Sequence, residues 1–162
     1  LLIPPRKYAN NLSPAMFKYF DTQRAGLNDP SIRPTIAFRL SETYLLAAEA
    51  AFQLGQNQQA AGYINVVRQR AASPGTAPQA MDISATQVNI DFILDERARE
   101  LCGEMTRWWD LVRTGKLLER VRLHNPDAGP NIQPKDILRP IPQAQIDATT
   151  TGTPYPQNPG WQ

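Results

Sequence analysis

The chain has 162 residues, of which 41% are hydrophobic and 20% charged, which suffices for the core of one domain or of one piece of a larger one. The net charge of +2, from 17 basic and 15 acidic residues, excludes the one-sided charge typical of nucleic-acid-binding proteins. No apolar run approaches the roughly 20 residues of a membrane helix, and the single cysteine excludes an internal disulfide.

The distribution of prolines predicts three regions. The fifteen prolines crowd the two ends, and residues 35–123 contain only Pro74 and Pro78. Proline interrupts regular helices and favours extended or turning backbone. We therefore predict an all-α fold with an irregular N-terminal arm at 1–35, a helical core at 36–124 and an irregular C-terminal arm at 125–162.

In the N-terminal arm, two short apolar or basic runs are expected to form short strands or docked extended pieces. They lie at residues 6–8 and 16–20, and the Asn-Asp-Pro sequence at 28–30 predicts a turn after them. Tyr8, Tyr19 and Tyr155 lie in the irregular regions, where ligand contacts are more common than on regular elements. Nothing in the sequence pattern identifies one of these tyrosines as a ligand contact.

The first helix is predicted to begin near Ser41, with residues 39 and 40 as a possible extension, and to end at Gly55. Its alanine content favours both helix formation and close approach of a neighbouring helix. The residues expected on its buried face are Leu40, Tyr44, Ala47, Ala48, Ala51 and Phe52.

The second helix is predicted to begin at Asn57 as N-cap and to stop before the Ser-Pro-Gly sequence at 73–75. Its apolar positions recur at helical spacing, and the turn from the first helix is very short. The pair resembles a tetratricopeptide (TPR) unit, which needs a neighbour to bury its second face. The apolar positions are Ala60, Ala61, Ile64, Val67 and Ala71.

The stretch at 93–115 predicts a helix capped by Asn89 or Asp91, with Gly103 bending or splitting it. Its charged residues recur on one face beside apolar and aromatic ones, which predicts ions paired with each other or with backbone near a core. These charged residues are Arg97, Glu100, Glu104 and Arg107.

The carboxylates of this stretch also allow a glycosidase acid pair as an alternative. Such chemistry needs two carboxylates that converge across a cleft, one with a raised pKa. Arginines beside the carboxylates hold them ionised instead, which favours structural ion pairs and no catalytic residue. The carboxylates are Asp95, Glu96, Glu100, Glu104 and Asp110, and the arginines are Arg97, Arg99 and Arg107.

Five further residues of chemical interest receive structural interpretations. Trp108 and Trp109 point about 100° apart on a helix, so at most one is expected to be freely exposed rather than packed. Trp161 is expected to anchor the C-terminal arm, although all three tryptophans are also candidate sugar-stacking platforms. Cys102 is expected to be a small buried apolar residue, and His124 to lie at a helix end.

A further short helix is predicted at 116–121, ending a second hairpin that stacks on the first. From residue 125 the chain is expected to be irregular, with one apolar insert at 137–142. No phosphate-binding loop and no metal-ligand spacing is present, so we expect no cofactor and no metal site.

Five blocks in the same order resemble one family, the SusD/RagB outer-membrane nutrient-binding proteins. Together they cover about residues 36–161. The blocks are RLSETYLLAAEA at 39–50; NVVRQRA at 65–71; Asp95-Glu96-Arg97 followed by Glu100, Leu101, Glu104 and Arg107; WDLVRTG at 109–115; and LRPIP at 138–142 with QNPGW at 157–161.

The resemblance implies a function and a location that the residues themselves do not. Family members are typically all-α, TPR-like lipoproteins on the outer face of the Bacteroidetes outer membrane. They bind oligosaccharides or other nutrients without catalysis, beside a SusC-like TonB-dependent transporter. The resemblance therefore implies a nutrient-binding piece whose ligand-contacting residues are unknown and whose lipid-anchored N-terminal region is expected to be missing. The alternative is a TPR-like scaffold for protein–protein interaction.

Overall fold

A computed structural model describes residues 16–26, 28–153 and 155–161. Contacts within the chain divide it between Ile36 and Ala37 into two compact units. Helices are the regular elements of the described residues, and no strand occurs among them. The all-α prediction is therefore confirmed, whereas the three-part division at residues 35 and 124 remains a prediction.

The described part of the N-terminal unit is held by a short helical turn and a polar loop. A 3-10 turn spans Phe17–Tyr19, so the prediction of a strand or extended piece at 16–20 is wrong. The predicted piece at 6–8 lies outside the described residues. The carboxylate of Asp21 accepts hydrogen bonds from the Ser31 hydroxyl at 2.7 Å and from the Gln23 amide at 2.9 Å. The predicted turn is present, because Asp29 N–H donates to the carbonyl of Gly26.

Two antiparallel helices form the TPR-like pair. Helix α1 spans Leu40–Gln53, and helix α2 spans Asn57–Arg70. Gly55 adopts a φ of 73°, a left-handed value that favours glycine at the end of a helix. Gln56, not Asn57, precedes the second helix, and no side chain caps it. The turn is therefore one residue tighter than predicted.

The interface of α1 and α2 is made of small and aliphatic side chains. Leu45, Ala48, Ala60 and Ile64 are completely buried there. Leu40 was expected on this face but is 68% exposed at the first position of α1. The small alanines allow the two backbones to approach closely, as the sequence predicts.

The segment after α2 returns to the core although it contains no long helix. Two 3-10 turns at Pro78–Met81 and Ala85–Gln87 shape it. Ile83 and Val88 are buried against the helical pair. The side chain of Asn65 on α2 accepts a hydrogen bond from the backbone amide of Ile83 at 2.8 Å and donates one to the carbonyl of Ile83 at 3.0 Å. One side-chain amide thus satisfies both backbone groups of a buried loop residue.

The stretch at 93–115 is two helices, not one. Helix α3 spans Ile90–Glu100 and is capped by the side chain of Asn89, which accepts from the amide of Phe92 at 2.8 Å. Helix α4 spans Arg107–Arg113. Gly103 between them has a φ of 78°, which an α-helix cannot contain. The prediction that Gly103 splits the helix is confirmed, and so is Asn89 as the cap.

The chain then forms helix α5 at Leu117–His124, which confirms the predicted short helix and places His124 at its end. The C-terminal arm contains a 3-10 turn at Pro134–Ile137 and helix α6 at Gln143–Asp147. It is thus less irregular than predicted. The side chain of Gln157 accepts a hydrogen bond from the backbone amide of Ile141 at 2.8 Å and donates one to the carbonyl of Ile141 at 2.9 Å. These bonds connect the end of the arm to its middle.

Two apolar clusters form the interior of the C-terminal unit. The first joins α1, α2 and the start of α3 with the loop residues Ile83 and Val88. The second joins α3, α4 and α5 around Leu94, Leu111 and Leu117. Among the described residues, no helix combines the length and hydropathy needed to cross a bilayer.

Candidate functional site

Arg97 of α3 is the centre of a buried ionic network. Its side chain is 1% exposed, and its Nε donates to Asp110 of α4 at 2.8 Å. Its Nη2 donates to Glu42 of α1 at 3.3 Å. The three residues come from three different helices, so this arginine connects the TPR-like pair to the helices that follow it. The prediction of a paired, buried ion is confirmed.

A second arginine extends this network along α1. Both terminal nitrogens of Arg113 contact the carboxylate of Glu49, and Nη2 also donates to Asp110 at 2.9 Å. The hydrogen bond with Glu49 raises the pKa of Arg113, so its guanidinium stays charged. Asp110 therefore lies between two arginines and is only 4% exposed through its side chain.

A third arginine, Arg39, joins the start of α1 to the turn after α3. Its Nε donates to both carboxylate oxygens of Glu104 at 2.9 Å, and its Nη1 donates to Glu100 at 2.5 Å. The bond to Glu104 is the main reason that the pKa of Arg39 is raised. Glu100 also accepts a hydrogen bond from the guanidinium of Arg70 on α2 at 2.5 Å. Glu100 and Glu104 are therefore paired with arginines at the start of α1 and on α2, whereas Asp110 pairs with arginines of its own stretch, as expected.

Two further arginines of this region, Arg120 and Arg107, differ in their partners. Arg120 of α5 is 5% exposed and contacts the carboxylates of Asp91 and Asp95 on α3. Arg107 donates to the carbonyl of Leu94 at 2.6 Å and forms no ion pair with a described carboxylate. Burial, together with the neighbouring cations Arg120 and Arg97, lowers the pKa of Arg107. The network thus contains one arginine without a carboxylate of its own.

These contacts give the network a structural role. Glu42 and Asp110, the carboxylates that contact Arg97, are both engaged in ion pairs with arginines. Among residues 16–26, 28–153 and 155–161, no group of three or more His, Cys, Asp and Glu side chains is arranged to hold a metal ion. The glycosidase alternative therefore gains no support from this geometry.

An apolar groove lies between α4, α5 and the C-terminal arm. Its volume is about 610 Å³, within the range of ligand-binding clefts. Trp108, Leu111 and Val121 line it from the helices, while Arg139 and Trp161 contribute from the C-terminal arm. The groove combines aromatic and aliphatic walls with a few polar groups, as small-molecule sites do.

A tryptophan–arginine stack stands at the edge of this groove. The guanidinium of Arg139 lies 4.9 Å from the ring centroid of Trp108 and 5.6 Å from that of Trp109. Trp108 is half-buried against the second apolar cluster, whereas Trp109 is 62% exposed. The expectation that at most one of the two is freely exposed is confirmed. The backbone carbonyl of Arg139 accepts from the Asn158 side chain at 2.7 Å, but its guanidinium donates to no described residue and is open to solvent or a ligand.

Trp161 anchors the end of the arm, as predicted. Its Nε1 donates to the carbonyl of Leu138 at 2.7 Å, and the ammonium of Lys135 lies 4.3 Å from its ring centroid. The indole therefore closes the loop at 135–161 and forms one wall of the groove. Both roles use the apolar face and the polar N–H that tryptophan combines.

A second concavity of about 460 Å³ lies at the turn between α3 and α4. Arg97 and Arg107 contribute to its wall together with Thr106 and Gly103. The Nη1 atom of Arg97 is buried and donates to no acceptor among the described residues. The Nε atom of Arg120 in the same network is likewise buried without a partner among the described residues. An unsatisfied buried donor typically costs about 1–3 kcal/mol, so these two atoms are departures from the pairing found elsewhere in the network.

The sequence model of the SusD family matches residues 4–161. The chain belongs to the SusD family. Its similarity to curated relatives is as clear: 45% identity over 96 residues with SusD-like protein P38 of Formosa agariphila, and 36% over 131 residues with SusD-like protein P25 of that organism. SusD-like protein P2 of the same organism is 29% identical over 138 residues.

The chain spans a minor part of the length of these SusD-like relatives. The three matches cover 56%, 72% and 78% of this chain but 19%, 24% and 26% of P38, P25 and P2. The blocks that carry the family resemblance correspond to defined parts of the structure. They supply α1, the C-terminal part of α2, the ionic network of α3 and α4, and the anchored C-terminal arm.

Two residues of this SusD-family chain that the sequence singled out, Cys102 and Tyr155, are both exposed. Cys102 was expected to be buried, but it is exposed, because α3 ends at Glu100 and the cysteine falls in the turn. Of the flanking tyrosines, Tyr155 is 51% exposed, and Tyr8 lies outside the described residues. Exposure alone does not make Tyr155 a ligand contact.

Sequence reasoning missed the residues that complete the network and the groove. Glu42, Glu49 and Arg39 partner the ions of α3 and α4 from 55 to 65 positions away. Arg139 was noted only as part of the apolar insert. A charged residue within the apolar face of α1 is the signal that could have identified Glu49.

Proposed function

We propose that this SusD-family chain takes part in the non-catalytic binding of an oligosaccharide or another nutrient at the bacterial outer membrane. The parent protein delivers that ligand to a SusC-like TonB-dependent transporter. Membership of the family, shown by the match over residues 4–161, is the observation that carries the proposal. The family supports a nutrient-binding role in general.

The groove beside the tryptophan–arginine stack supports a ligand-contacting role for this part of the protein. The exposed ring of Trp109 and the half-buried ring of Trp108 offer apolar faces that suit the C–H faces of pyranose sugars. Arg139 offers hydrogen-bond donors between them, since no described residue accepts from its guanidinium. Loops and chain ends carry function more often than the elements that support them.

Titration of the full chain with a panel of neutral and acidic oligosaccharides, followed by calorimetry, tests the binding proposal. Trp109→Ala removes an exposed ring and is expected to weaken binding about tenfold without unfolding the protein. Tyr155→Ala is the matched control, because it removes an aromatic ring of similar exposure that does not belong to the tryptophan–arginine stack. Equal affinities for both variants would place the site elsewhere, and release of shorter sugars would contradict the non-catalytic assignment.

The location and the partner are tested on the full-length protein in its native membrane. We expect protease treatment of intact cells to remove it, and affinity purification after mild solubilisation to recover a TonB-dependent transporter. The alternative is a TPR-like protein–protein scaffold, for which the α1–α2 pair is the supporting feature. Tight binding of a peptide, with no response to any sugar, would favour that alternative.

A further inference from the structure

Arg139 places an exposed guanidinium at the edge of the groove. Its central carbon lies 4.9 Å from the ring centroid of Trp108 and 5.6 Å from that of Trp109. Among the described residues, no carboxylate pairs with this guanidinium and no acceptor takes a hydrogen bond from it. Stacking on aromatic rings uses the faces of a guanidinium group, whereas its N–H donors lie in the plane of the group. The donors of Arg139 are therefore available to a ligand.

The backbone around Arg139 is held in place by the end of the C-terminal arm. The carbonyl of Arg139 accepts a hydrogen bond from the Asn158 side chain at 2.7 Å. The carbonyl of Leu138, one residue earlier, accepts from Nε1 of Trp161 at 2.7 Å. Pro140 follows, and a residue before proline is restricted towards extended backbone. A group that is positioned before binding loses less conformational entropy when a ligand pairs with it.

The other charged side chains that line the groove are engaged within the protein. Arg107 donates to the carbonyl of Leu94 at 2.6 Å, and the carboxylate of Asp136 accepts from the backbone amide of Gln133 at 2.7 Å. In the described part of the chain, Asp136 forms no ion pair with Arg139. Two arginines and one aspartate give the lining a formal charge of +1, which favours a ligand with a negative group.

A sugar acid would use the tryptophan ring and the guanidinium together. A pyranose ring that stacks on Trp109, 62% exposed, would carry a carboxylate at its rim, beside Arg139. The two oxygens of a carboxylate match the planar fork of a guanidinium group and form charge-assisted hydrogen bonds with it. We propose that Arg139, with the exposed ring of Trp109, selects oligosaccharides that carry a carboxylate, such as uronic acids, over neutral ones. This inference rests on the proposed function and specifies its ligand class.

Calorimetric titration of the full chain with matched pairs of oligosaccharides tests the selection. The acids are oligogalacturonate, oligoglucuronate and oligomannuronate, each compared with its carboxyl-reduced counterpart of the same length and linkage. For at least one pair we expect the acid to bind about fivefold more tightly at low salt, as a solvent-exposed ion pair allows. This preference should shrink as sodium chloride is added, because salt screens exposed charges.

Three variants assign the preference to Arg139. Arg139→Gln removes the charge and is expected to abolish the preference for the acid. Arg139→Lys keeps the charge without the planar fork and should keep only part of the preference. Arg122→Gln removes an exposed arginine of α5 that does not line the groove, and it should keep the native ratio of affinities. That ratio does not depend on the folded fraction, since an unfolded fraction lowers both apparent affinities alike.

The possible failures are distinguishable. Equal affinity of the native chain for both members of every pair that binds would overturn this inference and leave the proposed function in place. So would a preference for the acid that is the same in Arg139→Gln. Tighter binding of a sulfated oligosaccharide than of any uronate would overturn the carboxylate assignment. Binding of no member of any pair would count against the proposed function and against this inference with it.

Discussion

Replacing Arg97 by alanine would remove the central cation of the buried network. Two carboxylates would then lack their partner: Asp110, 4% exposed, and Glu42, 9% exposed, as measured for their side chains. Asp110 keeps its contact with Arg113, whereas Glu42 has no second ion pair in the described residues. Breaking a buried pair on one side typically costs about 3–5 kcal/mol, because the remaining charge is desolvated and uncompensated.

The expected change in melting temperature follows from the size of the C-terminal unit. That unit runs from Ala37 to Gln162. With an unfolding entropy of about 2 cal/mol/K per residue, each kcal/mol corresponds to roughly 4 °C, so Arg97→Ala should melt about 10–20 °C lower. Differential scanning calorimetry and urea unfolding measure the two quantities.

Two comparisons show whether the loss comes from burial of the ion pair. Arg122→Ala, on the exposed side of α5, should change stability by less than about 0.5 kcal/mol. Glu100→Ala should cost less than Arg97→Ala, since its partner Arg70 is 59% exposed and Arg39 keeps Glu104. A melting curve for Arg97→Ala that matches that of Arg122→Ala would refute the reasoning.

Three further predictions concern a cap, an anchor and an acid. Asn89→Ala should lower stability by about 1 kcal/mol in urea unfolding, whereas Asn57→Ala, which removes an asparagine that caps no helix, should have little effect. Trp161→Ala should release the C-terminal arm, seen as faster limited proteolysis after residue 138 with the helices intact; an unchanged cleavage pattern would contradict the anchor. The hydrogen bond from Ser31 lowers the pKa of Asp21 below its ordinary value of 3.8. The stability that the Asp21 carboxylate contributes is therefore present above pH 3.8 and is lost as the pH falls through the lowered pKa. Carbon-13 titration should show that Ser31→Ala raises the pKa of Asp21.

The helices could be predicted because their signals are local. Recurrence of apolar residues at helical spacing marks α1 and α2, and the side chain of Asn89 caps α3. Gly103, in a left-handed conformation, separates α3 from α4, and a glycine inside a helical pattern predicts such a break from the sequence. These features depend on residues within one or two turns of each other.

Residues beside the break were harder to predict. The charges of 97–107 were expected on one helical face, but α3 ends at Glu100, so Glu104 lies in a turn and Arg107 begins another helix. For the same reason Cys102 is exposed rather than buried. A shift of a helix end by two residues changes which side chains reach the core, because successive positions point about 100° apart.

The sequence by itself determined that this chain is a helical SusD-family piece, with its TPR-like pair, its capped third helix and its tryptophan anchor. Only the tertiary structure decided which charges meet: Arg97 with Glu42, and Arg113 with Glu49. It also decided that Arg139 stands between Trp108 and Trp109 at the edge of a groove. Local periodicity sets the face on which a side chain lies, but its partner depends on how distant segments fold back, and the pattern of one segment carries no information about that distance.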